Sequence, residues 1–238
     1  MTLWMMWATL CTGLLASAGL IAEQMLRARG REVRWVWVSV AAAAWGLQAW
    51  SWLRTAPPAT ARSTAGGVLN FPAPMTEATS RATAWLASFL APADEVVLVA
   101  WLVGSVVSTT IIVSGLWRLM RRTRRWAHAH VRGEDVLLSD GFGPALVGFL
   151  SPKIVVPTWA LGLDDEQLRM TLLHEAEHRT ARDTLLLLGS SIAVALTPWN
   201  AALWWASSRL RHAVELDCDA RVLRAGPGAR PRISHPIC

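Results

Sequence analysis

Two histidines four residues apart, with a glutamate directly after the first, lie in the stretch LLHEAEHRTARD. On a helix, His174 and His178 project from the same face one turn apart, so two imidazoles can reach one metal ion. Glu175 can then act as general base toward the water that the metal activates. The spacing therefore predicts a zinc hydrolase site, with an amphipathic helix that carries two histidines by chance as the alternative.

A catalytic zinc needs a third protein ligand and an open position for water. The stretch RHAVELDCDARVL is typical of a second helix, in which Glu215 and Asp219 lie one turn apart. We predict that Glu215 binds the metal and that Asp219 accepts a hydrogen bond from the far nitrogen of a ligating histidine. The alternative is a solvated acidic face formed by Glu215, Asp217 and Asp219 near Arg221. Asp217 and Asp219 are also the substitutes if Glu215 is not the ligand.

Two other side chains beside these motifs receive plainer interpretations. We expect Cys218 to point to a different helical face from Glu215 and Asp219 and to serve as small packing filler. We expect Asp183 to be the N-cap of an apolar helix that begins at Thr184. The chain has three cysteines, and their positions do not suggest a disulfide framework.

The histidine motif needs a helix and a support for that helix. Asp164 or Asp165 can cap a helix whose leucines recur at helical spacing up to the first histidine. Before it, short runs rich in branched residues alternate with glycine and proline, which predicts two or three short strands with tight turns. These expected strand runs are Val136 to Leu138, Ala145 to Leu150 and Ile154 to Val156.

Composition places these elements next to a membrane. Of 238 residues, 53% are hydrophobic, 15 are tryptophan and none is tyrosine, and the mean hydropathy is +0.32. Each of four apolar runs approaches the roughly 20 residues that a helix needs to cross about 30 Å of hydrocarbon. The runs are Leu3 to Ala22, Val33 to Leu53, Val96 to Trp117 and Leu185 to Ala206.

Arginine placement predicts the topology. Arginines follow the first run rather than precede it, so we interpret that run as a retained span with its N-terminus outside. Residues 55–94, rich in proline, alanine and threonine, are expected to form a weakly structured outside loop. The cluster in RLMRRTRRW, residues 118–126, marks the cytoplasmic edge of the third span. Such juxtamembrane arginines also attract anionic lipid, and no nucleic-acid partner is expected.

The fourth run is interrupted and should not cross. Pro198 cannot donate a backbone hydrogen bond, and Asn200 is a turn former, so the run can break into two helices that are each too short to span. A re-entrant hairpin over 185–206 would return the chain to its starting side and bring Glu215 to the histidines.

Several motifs together carry a family resemblance: HEAEH, an apolar run with TPWNAALWW, ELDCDARVL, and GPALVGFLSPKIVVP upstream. Over roughly residues 118–225 the chain resembles the membrane-embedded gluzincin peptidases of the beta-lactam receptor family (BlaR/MecR type). The resemblance implies a cytoplasmic-side zinc endopeptidase of a bacterial inner membrane, with His174, His178 and Glu215 on zinc and Glu175 catalytic. The substrate would be a protein or peptide, for example a transcriptional repressor cleaved in signalling. Similar spacing occurs in membrane peptidases of the CAAX and HtpX type, which process or degrade membrane proteins.

The chain also departs from that family. The receptors carry a further span and an outside penicillin-binding domain, whereas this sequence stops soon after Glu215. Sensing of a beta-lactam is therefore not expected. The sequence leaves open that the chain is part of a longer gene product. Because the sequence has no tyrosine, His212 is the candidate for stabilising the oxyanion, with a plain surface histidine as the alternative. A non-catalytic membrane signalling protein of the same fold is the remaining functional alternative.

The expected architecture is a mainly α-helical integral membrane protein. It has an N-terminal region over 1–117 with about three transmembrane helices, and a small α+β gluzincin-like zinc peptidase domain over 118–225 that includes the re-entrant hairpin. Residues 226–238 form a disordered tail.

Overall fold

The computed structural model describes residues 1–54, 81, 85–86, 88–89 and 91–225. Over this part the chain is mostly helical with one small sheet. Most of the predicted outside loop over 55–94 and the whole predicted tail over 226–238 lie outside the described residues. The helices are α1 (Thr2–Ala28), α2 (Arg34–Arg54), α3 (Asp94–Thr123), α4 (Asp165–Ala181), α5 (Asp183–Leu196) and α6 (Ala201–Ala225), and the strands are β1 (Ala127–Val131), β2 (Glu134–Ser139), β3 (Ala145–Val147) and β4 (Lys153–Pro157).

Two of the described helices are long and apolar enough to cross a membrane. These are α1, with a mean hydropathy of 1.6 over its most apolar window, and α3, with 2.4. Although α2 has 21 residues, it is not one of them, because its tryptophans, Ser39 and Gln48 lower its hydropathy. A third span through α2 therefore stays a prediction.

The two ends of the helix bundle are closed by different polar contacts. The N-terminal ammonium of Met1 lies 2.9 Å from a carboxylate oxygen of Asp94, so α1 and α3 begin at the same end. At the other end, the amides of Val33 and Arg34 donate to the carboxylate of Asp217 on α6. The turn between α1 and α2 thus lies against the part of α6 that carries the acidic motif.

The fourth apolar run forms two helices that reverse direction. The hydroxyl of Ser190 on α5 lies 2.6 Å from that of Ser207 on α6, as expected for antiparallel neighbours joined near Pro198. Asn200 is fully buried at the bend: its side-chain oxygen accepts from the amide of Leu203 at 3.0 Å, and its amide donates to Thr12 of α1 at 3.1 Å. The break that Pro198 and Asn200 predict is present, and entry of this hairpin into a membrane stays a prediction.

A four-stranded sheet supports the histidine helix. Its order is β1-β2-β4-β3, with β2 and β4 parallel and the other pairs antiparallel. Buried Val136, Ile154 and Val156 pack against Leu168 and Leu172 of α4. The sheet therefore fixes one face of α4.

The strands predicted from the sequence differ from the observed ones in two places: β1 was not predicted, and β3 is shorter than predicted. Strand β1 has the sequence AHAHV, in which Val131 is the single branched residue of the kind that marks a strand. It joins β2 through Arg132 and Gly133, both with positive φ as in tight hairpins. Strand β3 ends at Val147 rather than Leu150, because Gly148 has φ +107° and turns the chain.

Helix α6 packs against the first two helices through a shared core. This core joins small and aromatic residues of α1 and α2 to apolar residues of α6 on both sides of Arg209. Arg209 of α6 adds a polar contact through an ion pair with buried Glu23 of α1, with 2.5 Å between guanidinium nitrogen and carboxylate oxygen. The position of Glu215 on α6 therefore depends on α1 and α2. The buried core residues are Ala16, Val33, Trp37, Val40, Ala206, Leu210, Ala213 and Val214.

Candidate metal centre

Helix α4 presents its two histidines to α6 because its other faces are used for packing. Asp164 caps the helix, with its carboxylate accepting from the amide of Gln167 at 2.8 Å, which confirms one of the two predicted caps. Leu172 faces the sheet, and Leu173 packs against Val222 of α6. His174 is thereby held between α4 and α6.

Three potential ligand atoms converge between these helices. His174 Nε2 and His178 Nε2 lie 3.1 Å apart, and Oε2 of Glu215 lies 3.7 Å from the first and 3.6 Å from the second. Ligand bonds of about 2.0–2.1 Å in a tetrahedral zinc site place ligand atoms about 3.4 Å apart. The three side chains therefore fit one zinc ion, with a fourth direction left for water or substrate.

Asp183 is hydrogen-bonded to the ring nitrogen of His178 that faces away from Glu215, contrary to the expectation of a plain helix cap. Its Oδ2 lies 2.8 Å from Nδ1 of His178, and the residue is only 1% exposed. Helix α5 begins at Asp183 itself, and Arg182 before it has φ 55° and ψ 35°, the left-handed conformation. This turn ends α4 and directs Asp183 back to His178. A hydrogen bond at Nδ1 leaves Nε2 free to bind a metal.

Asp219 and Cys218 both lie beside His174. Oδ1 of Asp219 is 3.4 Å from Nδ1 of His174, close to the position that the sequence predicts for it. The sulfur of Cys218 is 3.7 Å from the same nitrogen and 3.5 Å from the carbonyl oxygen of His174. The prediction that Cys218 points to a different face is wrong, because residues 215 and 218 are three apart and share a helix face.

Cys218 also offers a second possible ligand set. Ligand atoms of His174, His178 and Cys218 all lie within 4.8 Å of one another. We favour Glu215 as the third ligand, because its oxygen faces both Nε2 atoms at similar distances, whereas the nearest imidazole contact of the thiol is with Nδ1 of His174.

A cavity opens next to these side chains. It has a volume of about 570 Å³ and is lined by His174, Glu175, Met170 and Pro144, among others. This size lies within the range of about 300–1,000 Å³ that is usual for ligand sites. Glu175 is 8% exposed, and burial raises the pKa of its carboxyl group. A buried carboxylate of raised basicity thus lies next to the two histidines.

A comparison with protein families agrees with this arrangement. The model of the family described as BlaR1 peptidase M56 matches residues 4–235. The chain belongs to the M56 peptidase family. A comparison with curated proteins finds no significant match. The family match covers nearly the whole chain, including the first hundred residues, where the sequence motifs alone show only an arrangement of apolar runs. Membership indicates a membrane metallopeptidase.

The charges of this M56 site favour a bound cation. Hydrogen bonds to Cys218 and Glu215 raise the pKa of His174 to about 10. Burial alone would lower the pKa of His178, but hydrogen bonds to Asp183, Cys218 and Glu215 outweigh it and raise that pKa to about 12. Hydrogen bonds to the two histidines lower the pKa of Glu215. The same negative groups that retain protons on the imidazoles would stabilise a metal cation.

Two further predicted positions of the M56 peptidase have different surroundings. Asp217 points away from the histidines and binds the amides of Val33 and Arg34, so it is neither a substitute ligand nor part of a solvated acidic face. His212 is exposed on α6, one turn before Glu215, and its role in oxyanion stabilisation stays a prediction.

Proposed function

We propose that this M56 family member is a zinc endopeptidase that cleaves peptide bonds of a protein substrate at the cytoplasmic face of a bacterial inner membrane. The observation that supports this most directly is the convergence of His174 Nε2, His178 Nε2 and Glu215 Oε2 within 3.7 Å of one another, next to buried Glu175. A site with three protein ligands and an adjacent carboxylate is typical of catalytic rather than structural zinc.

Each side chain has a defined task in this proposal. Zinc, when bound, would activate water and polarise the peptide carbonyl. Glu175 accepts a proton from the attacking water and passes it to the leaving amine, and its raised pKa suits both steps. Asp183 keeps the proton of His178 on Nδ1, and Asp219 has the corresponding position at Nδ1 of His174.

The sheet supplies an edge for the substrate. Strand β3 is at the end of the sheet and pairs on one side with β4, with Leu146 opposite Ile154. Pro144, directly before β3, lines the cavity beside Glu175. An extended peptide could add to the open edge of β3, which would bring its backbone past the metal.

Charge and helix direction support the cytoplasmic assignment. Arginines cluster at the C-terminal end of α3, at residues 118–125, and the positive-inside bias favours this end in the cytoplasm. Met1 and Asp94 meet at the opposite end. A cytoplasmic site could reach a soluble regulator such as a transcriptional repressor, which is the partner that we propose.

A substitution at Glu175 tests the enzyme proposal. The full chain, purified in detergent, should bind one zinc and cleave a denatured protein or a quenched-fluorescence peptide library. Glu175→Gln should retain zinc and lose cleavage, whereas Glu166→Gln, on the same helix but outside the site, should retain both. Unchanged cleavage by Glu175→Gln would refute the proposal. Zinc binding without any cleavage by the unaltered chain would favour a non-catalytic signalling protein.

Comparing proteomes of cells with and without the gene tests the proposed partner. Accumulation of one intact regulator in cells that lack the gene would support signalling by cleavage. Broad accumulation of membrane proteins would instead indicate a quality-control peptidase.

A further inference from the structure

The turn between α1 and α2 is tied directly to the metal-site helices. Both carboxylate oxygens of Asp217 lie within 3.0 Å of the amide nitrogen of Val33, and one lies 2.8 Å from that of Arg34. Amides at a helix start lack partners within their own helix. Asp217 therefore caps α2 from another helix. It fixes the position of the start of α2, which is Arg34.

The side chain of Arg34 continues this connection to a candidate ligand. One guanidinium nitrogen donates to Oδ1 of Asp183 at 2.8 Å, and the other donates to Glu32 at 2.9 Å. The second oxygen of Asp183 lies 2.8 Å from Nδ1 of His178. Asp183 therefore bridges a guanidinium on one oxygen and an imidazole on the other.

Burial makes this bridge sensitive to its cationic partners. Asp183 is 1% exposed and Arg34 is 7% exposed, and a buried carboxylate is held in place by the charged and hydrogen-bonding partners that replace water. Arg221 also approaches Asp183, at 3.4 Å, and like Arg34 it contacts Glu32 as well. Arg34 makes the shorter contact and thus contributes more to the fixed orientation of the carboxylate.

We propose that Arg34 is a positioning residue for the metal ligand His178 and acts through Asp183. The guanidinium binds one oxygen of Asp183 and so keeps the other oxygen aimed at Nδ1 of His178. The imidazole then keeps its proton on that nitrogen and turns Nε2 toward the metal. The inference rests on the proposed zinc site and extends it to the turn between the first two helices.

Zinc affinity of the purified full chain provides the test, measured by competition with a chelator and independently of cleavage. Arg34→Met should weaken zinc binding by about tenfold, the lower end of the range of about 10- to 100-fold for losing a group bonded directly to a ligand, because Arg34 acts through Asp183. The matched control is Arg209→Met, which removes a similar ion pair between α6 and buried Glu23 of α1 without touching Asp183. Its zinc affinity should fall much less than that of Arg34→Met, because Glu23 keeps its second ion pair, with Arg27, and α6 keeps its apolar core. Equal losses of zinc affinity in the two variants would show that the effect comes from helix packing in general, and would overturn the proposal.

A double-mutant cycle tests the route through Asp183. If Arg34 acts through that carboxylate, Arg34→Met should add little to the loss already caused by Asp183→Asn. Two full and additive losses would overturn the proposal. If Arg34→Met does not fold, Arg34→Lys replaces it; lysine keeps the charge but lacks the two-pronged geometry, so a smaller loss is expected, and unchanged affinity would contradict the proposal.

The outcomes for the two proposals are distinguishable. If the unaltered chain binds no zinc, the proposed function fails. If the unaltered chain and Arg34→Met bind zinc equally well, only the role of Arg34 fails.

Discussion

Replacing Glu215 by alanine should remove the third metal ligand and leave the histidine pair intact. The carboxylate oxygen lies 3.6 and 3.7 Å from the two Nε2 atoms, and Glu215 is exposed on α6. Loss of a group that only orients a ligand weakens metal binding by about 10- to 100-fold. Loss of the ligand itself should exceed 100-fold, which corresponds to about 2.8 kcal/mol at about 1.4 kcal/mol per factor of ten.

Cys218→Ser provides the comparison, because the thiol is the competing ligand. Its sulfur contacts Nδ1 and the carbonyl oxygen of His174. Burial raises the pKa of Cys218, but hydrogen bonds to His174 and His178 outweigh it, so the pKa is lowered. If the thiol lies beside the ligands rather than on the metal, the serine variant should lose about tenfold or less in zinc affinity.

The assay is chelator competition on full-length protein in detergent, with zinc content checked by elemental analysis. The expected order of affinities is the unaltered chain, then Cys218→Ser, then Glu215→Ala. Full affinity in Glu215→Ala together with a loss above 100-fold in Cys218→Ser would refute the assignment of Glu215. The ligand set would then be the two histidines with the thiol.

Three more predictions concern pH, the hairpin and topology. The pKa values of His174 and His178 are raised from 6.5 to about 10 and about 12. The stability that they contribute to the metal-free protein is therefore fully present below pH 6.5 and is lost as the pH rises through about 10 for His174 and about 12 for His178. Thermal unfolding of chelator-treated protein measures this, and stability that rises above pH 6.5 would contradict the prediction. Asn200→Ala leaves a buried helix start uncapped and should cost about 2 kcal/mol, seen as a lower Tm in detergent; an unchanged Tm would argue against the tie at the bend. With the other two cysteines removed, Cys238 should resist a membrane-impermeant thiol reagent on intact cells, and strong labelling would indicate a fourth full crossing.

Local patterns predicted the parts of the site that lie within one helix. The spacing of His174 and His178 places both imidazoles on one face of α4, and Asp164 caps that helix as a short polar residue before it. The break at Pro198 also follows from local chemistry, because proline lacks the backbone N–H that a continuous helix requires as a hydrogen-bond donor. Helix spacing could further have placed Cys218 on the face of Glu215, since the two are three residues apart.

Contacts between distant segments could not be predicted in this way. Asp183 looks like an ordinary helix cap in the sequence, and only the left-handed turn at Arg182 directs it to His178. Asp217 resembles its acidic neighbours on α6, yet it binds amides 184 and 183 residues away. No periodicity along the chain encodes such a pairing, because it depends on how α6 packs against the α1–α2 turn.

Helix α4 connects two packing units, and a metal ion would strengthen that connection. One face of α4 packs on the sheet through Leu168 and Leu172, and another packs on α6 through Leu173 and Cys218. The two histidines belong to α4, whereas Glu215 belongs to α6, which is held in turn by the core that it shares with α1 and α2. A zinc ion on all three ligands would therefore join α4 to the bundle of α1, α2 and α6. Part of its binding free energy would then stabilise the packing of α4 on α6, and with it the position of Glu175 and the open edge of β3.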